Sequence, residues 1–160
     1  MSVRISYFSD VLCIWAYAGQ RRIDQLANEF GDDVSIEAHF CSVFPDAWGK
    51  IDNTWRNRGG FNGFNEHLND VAQRFPHIDV TDRLWLETRP RTSSSAHLFL
   101  KAIEIIEREQ IGVDGSPKPY LDRLSTLAAW EMRKAFFSSG KDVSDWGVHS
   151  ELAERLGVEY

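Results

Sequence analysis

A strand–helix–strand pattern at the start of the chain constrains its fold more than any other feature. Val3-Arg4-Ile5-Ser6-Tyr7-Phe8 is β-prone and alternates in character, so it reads as a strand. Ser9-Asp10 breaks that run. The segment from Ile14 to about Phe30, with Gln20-Arg21-Arg22-Ile23-Asp24-Gln25-Leu26-Ala27 at its centre, has helical composition and period. At 1.5 Å per residue it is about 25 Å long, enough to return the chain to the other end of the strand. Gly31-Asp32-Asp33 ends it, and Val34-Ser35-Ile36-Glu37-Ala38-His39-Phe40 follows with strict apolar/polar alternation. A helical crossover makes the two strands parallel, with a right-handed connection. Ligands in open α/β sheets gather beyond the carboxyl ends of the strands, the edge that holds both Cys13 and Cys41.

Cys13 stands where the first strand hands over to the helix. Unsatisfied backbone N–H groups and the positive end of the helix dipole stabilise a thiolate at such a position. Its placement favours a functional thiol over a small buried hydrophobe. A partner three residues on would complete a dithiol motif, but position 16 is Ala. Cys41, at the end of the second strand, reads first as packing and second as a distant resolving thiol, which needs Cα atoms within about 7 Å of each other. Trp15 and Tyr17 either line a substrate groove or cover the helix start. His97 is expected on a helix face, oriented by a hydrogen bond, with a general-base role as the alternative. Arg21 and Arg22 read as surface residues.

After Asp46 the pattern turns mainly helical, dividing the chain into a βαβ portion (1–45) and a helical region (46–160). The stretch from Asp46 to Arg91 is rich in aromatics and glycine, with a short helix expected over Glu66–Phe75, before Pro76. Thr92-Ser93-Ser94-Ser95 offers N-caps for a helix to about Gln110, and Gly112 to Pro119 reads as a linker. Further helices are expected near Tyr120–Ser138 and Ser144–Leu156. Two parallel strands alone do not make a stable open sheet.

Other chemistries fail on pattern. The chain has 160 residues, a hydrophobic content of 42% and a net charge of −6, which fits a globular protein without a nucleic-acid partner. No apolar run reaches the roughly 20 residues that span a bilayer, and no secretory signal pattern opens the sequence, so the expected location is cytoplasmic, with no membrane partner and reduced thiols. His39 and Cys41 lack the second ligand pair of a zinc site, so no metal is expected. Arg58-Gly59-Gly60-Phe61-Asn62-Gly63 lacks the strand–loop–helix context of a phosphate loop. No GxSxG elbow surrounds the hydroxyls of residues 92–95. A homo-oligomer stays open.

Asp10-Val11-Leu12-Cys13-Ile14-Trp15-Ala16-Tyr17-Ala18-Gly19-Gln20-Arg21-Arg22 resembles the active-site signature of the DsbA-like oxidoreductase family. The branch it resembles is the cytoplasmic one, grouped with 2-hydroxychromene-2-carboxylate isomerases and kappa-class glutathione transferases. Ser94-Ser95-Ala96-His97-Leu98-Phe99-Leu100-Lys101-Ala102 and the segment Arg133-Lys134-Ala135-Phe136-Phe137-Ser138-Ser139-Gly140-Lys141-Asp142-Val143-Ser144-Asp145 resemble later stretches of that family, in the same order. The resemblance implies a thioredoxin-like α/β fold split by a large α-helical insertion, whose returning strands and cis-proline loop have no counterpart in this sequence. It implies thiol–disulfide exchange through Cys13, on a disulfide-containing or small-molecule substrate. No tightly bound cofactor is implied, and glutathione is a candidate cosubstrate. The alternatives are a glutathione-dependent isomerase or transferase, and a binding module without turnover.

Overall fold

The computed structural model describes residues 2–109 and 118–158, so most of the linker expected over Gly112 to Pro119 lies outside the described residues. The first elements are β1 (Val3–Ser9), α1 (Ile14–Phe30) and β2 (Val34–Phe40). The strands pair in parallel, in register from Val3 opposite Val34 to Ser9 opposite Phe40, as the helical crossover requires. Side chains alternate across this sheet. Ile36 is buried on the face it shares with Ile5 and Tyr7, while Arg4, Ser6 and Phe8 stand exposed on the other, where Phe8 stacks on His39 at 4.8 Å. α1 stops at Gly31, whose φ of +47° is costly for residues with a Cβ. The Gly31 N–H closes the helix on Ala27 O.

Five helices follow: α2 (Ala47–Trp55), α3 (Gly60–Ala72), α4 (Ser94–Glu109), α5 (Leu124–Phe137) and α6 (Trp146–Arg155). The short helix expected within Glu66–Phe75 is the latter half of a longer one, α3. Two helices occupy that aromatic, glycine-rich stretch, and α3 starts six residues earlier than the pattern suggests (60 against 66). Gly63 serves close packing rather than a loop: a Cβ there would meet Arg58 O at 1.7 Å. Asp46 caps α2 by accepting the Gly49 N–H at 3.2 Å. The helix expected from Tyr120 begins instead as a 3₁₀ turn over Tyr120–Asp122, and extended Arg123 (ψ 134°) separates it from α5. Arg123 donates through Nη1 to Ile36 O at 2.9 Å, tying the start of α5 to β2.

One apolar cluster runs from Val11 and Leu12 through Phe44, Trp85 and Phe136 to Val158, joining the residues around the sheet edge to those of the helices. Trp85 is its largest fully buried side chain, and its ring lies 5.9 Å from Phe44, 5.6 Å from Phe64 and 5.3 Å from Phe136. Its backbone sits at φ +65°, held by the Trp85 N–H to Thr88 O bond at 3.1 Å and by Arg89 Nε donating to Trp85 O at 2.8 Å. Packing thus outweighs local backbone preference. Trp85→Ala is expected to lower stability by about 3–5 kcal/mol, read as a fall in the urea midpoint at unchanged slope.

Candidate active site

The turn from Asp10 to Cys13 joins β1 to α1 and lies at the carboxyl edge of the sheet. The Cys13 N–H bonds to Asp10 O at 3.1 Å, and Cys13 O accepts the Tyr17 N–H at 3.1 Å. Cys13 is therefore the N-cap residue of α1, with extended φ −87° and ψ 115°, and its side chain makes no capping bond. Cys13 is half-buried as a residue, and its thiol is free. Cys41 is also free but exposed; its N–H bonds to Ser9 O at 3.0 Å, and its Sγ lies 3.8 Å from the same carbonyl.

Asp10 organises this turn. Its carboxylate is buried and accepts four hydrogen bonds: from Leu12 N–H at 2.8 Å, Val43 N–H at 2.7 Å, Phe44 N–H at 3.1 Å and Ser93 Oγ–H at 2.8 Å. Those donors come from three places: the active-site turn, the segment after β2 and the residue before α4. Burial is the strongest influence on its pKa and pushes it up. His97 at 3.5 Å, through its protonated form, the Leu12 N–H and the Ser93 hydroxyl act the other way and together hold the carboxyl below its ordinary 3.8.

His97, on the first turn of α4, links this centre to Ser42. Its Nε2 accepts the Val11 N–H at 3.2 Å, which assigns the proton of the neutral ring to Nδ1, and Nδ1 faces Ser42 Oγ at 3.2 Å. The ring stacks on Phe40 at 5.5 Å. This is the oriented helix-face histidine that the sequence suggests. It packs against the active-site turn rather than facing the Cys13 side chain through any hydrogen bond among the described residues.

Arg133 supports the turn from α5. It is 1% exposed; Nη2 donates to Ser9 Oγ at 2.9 Å and Nη1 to Gln20 Oε1 at 3.0 Å, while Nε is buried with no partner among the described residues. Gln20 passes the contact on through Nε2 to Asp24 Oδ1 at 2.7 Å and to the Tyr120 hydroxyl at 3.0 Å. Burial draws the Arg133 pKa below an arginine's usual value, against the opposing influence of Tyr7, Tyr120, Cys13 and Asp10. Its direct hydrogen-bond partners are neutral.

Trp15 is half exposed in the first turn of α1, edge-on to Phe75 at 6.1 Å. Tyr17 is not. It is 2% exposed, stacks on Phe137 at 4.8 Å and shares its hydroxyl with Ser138 Oγ at 3.2 Å, so of its two readings the structure places it in packing. The reason is helical geometry: four residues past the cap, it lies on the α1 face that meets α5. Arg21 and Arg22 are exposed. Among the described residues no group of three or more metal-ligating side chains converges, and no helix is long and apolar enough to cross a membrane. Asp10, Ser42 and Arg133 acquire their roles only in the fold. A carboxylate directly after a β-prone run, and an arginine between Met132 and Ala135-Phe136, were the available signals.

This architecture is shared with solved proteins. The cytosolic disulfide reductase DsbM from Pseudomonas aeruginosa superposes with a TM-score of 0.67 at 17% identity, covering 98% of this chain and 65% of that one. The same DsbM with GSH gives 0.64 at 18% identity, covering 98% and 66%. A 2-hydroxychromene-2-carboxylate isomerase gives 0.56 at 13% identity, covering 98% and 67%. No protein-family model and no curated protein matches the sequence. The fold is thus the thioredoxin-like α/β fold of the DsbA-like proteins. The chain spans about 65% of the length of DsbM.

The Asp10 network makes a pH-dependent stability prediction. Because the folded pKa lies below 3.8, the carboxylate stabilises the fold fully above that value and less as pH falls through the folded pKa. Asp10→Asn is expected to cost at least about 3 kcal/mol at pH 7, given several hydrogen bonds to a charged group. In urea titrations the gap between the variant and the parent chain should narrow as pH is lowered below 3.8.

Proposed function

We propose that the protein is a thiol–disulfide oxidoreductase that acts through Cys13 as its single active-site thiol. The observation that carries this reading is the free thiol of half-buried Cys13 at the N-cap of α1, with no capping bond to occupy it. The first-turn N–H groups of α1 are placed to stabilise negative charge on sulfur during exchange. Cys13 sulfur attacks one sulfur of a substrate disulfide; the S–S bond breaks, the other sulfur leaves as a thiolate, and a mixed disulfide remains. With Ala at position 16, no thiol stands one helical turn away to resolve it. A solution thiol of the glutathione type attacks the Cys13 sulfur of the mixed disulfide and releases the second substrate thiol, and another attacks the resulting Cys13–glutathione disulfide, freeing Cys13 and leaving oxidised glutathione. Two electrons then pass from two solution thiols to the substrate disulfide, or in reverse when the substrate is reduced. Trp15 supplies an apolar flank for the substrate. Cys41 is the reserve candidate for internal resolution. The cytosolic disulfide reductase with this fold supports the redox reading and a cytoplasmic setting.

A second reading is a glutathione-dependent isomerase or transferase, favoured by the isomerase that shares the fold and by the missing cysteine at position 16. In that chemistry Cys13 orients a glutathione sulfur and forms no lasting bond with it.

Intact mass after exposure to oxidised glutathione separates the two. Exchange predicts one glutathione adduct on the parent chain, none on Cys13→Ser and an undiminished adduct on Cys41→Ser. Ala16→Cys should convert the adduct into an internal disulfide, since residues three apart meet on a helix face. An adduct on Cys41 alone would remove the assignment. Isomerase turnover with no adduct in any variant would favour the second reading.

A further inference from the structure

A cleft of about 460 Å³ lies between β2 and α4, and Cys13 does not line it. One wall is Ala38, His39 and Phe40; the other is a single face of α4, with Ser94, His97, Leu98, Lys101 and Glu104, and Ser42 closes one end. His97 separates the cleft from the Cys13 turn, to which it is joined through the Val11 N–H.

The polar groups of this cleft do not satisfy one another. At the Ser42 end, His97 Nδ1–H and the hydroxyls of Ser42 and Ser94 carry three hydrogens, while the heavy atoms make two contacts, 3.2 Å from Nδ1 to Ser42 Oγ and 3.1 Å from Ser42 Oγ to Ser94 Oγ. Whichever hydroxyl donates within the chain, one O–H is left without an acceptor among the described residues. The count holds for neutral and protonated His97 alike, because Nδ1 carries a proton in both. At the other end, the Glu104 carboxylate holds two cations, Lys101 Nζ at 2.8 Å and the Arg108 guanidinium. One positive charge is in surplus there. Ser94 and Lys101 are seven positions apart on one helix face, a rise of about 10 Å. Between them the lining includes Ala38, Phe40 and the strongly exposed Leu98.

A surplus donor at one end, a surplus cation at the other and an apolar middle define complementary ligand chemistry. We propose that this cleft binds an elongated dicarboxylate, one carboxylate taking the Ser42–Ser94 hydroxyls and the other taking Lys101. The ligand comes either from a glutathione-type peptide, which carries a carboxylate at each end, or from a simple aliphatic dicarboxylic acid. Binding here does not require the Cys13 sulfur, so the site stands or falls separately from the exchange chemistry.

The test uses the full chain carrying Cys13→Ser, which removes thiol exchange at that position. Titration calorimetry is run with ophthalmic acid, a glutathione analogue with a methyl group in place of the thiol, and with suberate. Binding of ophthalmic acid alone assigns a peptide ligand, and binding of suberate assigns simple dicarboxylates. In either case Ser94→Ala and Lys101→Gln should each weaken binding by about tenfold, the scale of one charge-assisted hydrogen bond. Both substitutions are at the surface of α4, and unchanged circular dichroism confirms the fold. Failure of both compounds to bind at millimolar concentration would overturn the proposal, as would binding that neither substitution weakens.

Discussion

The buried Asp10 carboxylate is the interaction on which the rest of this site depends. A charge at that depth is tolerable only when its lone pairs are filled, and its four donors fill them. Because those donors belong to the turn before α1, the segment after β2 and the approach to α4, one side chain sets the relative position of three chain segments. The backbone of the same residue receives the Cys13 N–H. The entry angle of α1, and with it the direction of the Cys13 sulfur, therefore follows from a carboxylate that never touches the thiol.

A second buried charge braces the turn from the opposite side. Arg133 reaches from α5 to Ser9 Oγ, next to Asp10 in sequence, and to Gln20 within α1. A guanidinium without a direct carboxylate partner is expensive in a dry interior, and its position between β1 and α1 gives that expense a consequence. The two charges clamp the strand end and the helix start between the core helices. The stacked pair Tyr17–Phe137, also between α1 and α5, adds apolar contact to the same joint. The Cys13 corner of the molecule is consequently buried on its inner side, while Trp15 and the cleft between β2 and α4 form its open surfaces.

Local periodicity made the βαβ unit legible. Val34–Phe40 alternates strictly, α1 keeps its helical period from Ile14 to Phe30, and the crossover rule then leaves only a parallel pairing, as observed. Cys13 was legible for the same reason, since a residue between a clear strand and a clear helix has to lie near a cap. Other parts were hidden because long-range contacts decide them. Gly63 looks like a loop residue until the Arg58 carbonyl is seen packed where a side chain would stand. Tyr17 has the composition of a groove residue, and only the arrival of α5 buries it. The roles of Asp10 and Arg133 were hidden as well, because their partners Ser93 and Gln20 lie 83 and 113 positions away in sequence.

The central claim is that the fold makes Cys13 the reactive thiol. Its most direct test is the rate at which each cysteine reacts with a small aromatic disulfide, followed by peptide mass, in the native chain and in concentrated urea. The account predicts that native Cys13 reacts faster than exposed Cys41, and faster than Cys13 itself in the unfolded chain, where the helix start no longer exists. Cys13 reacting no faster folded than unfolded, with Cys41 the quicker of the two, would contradict it.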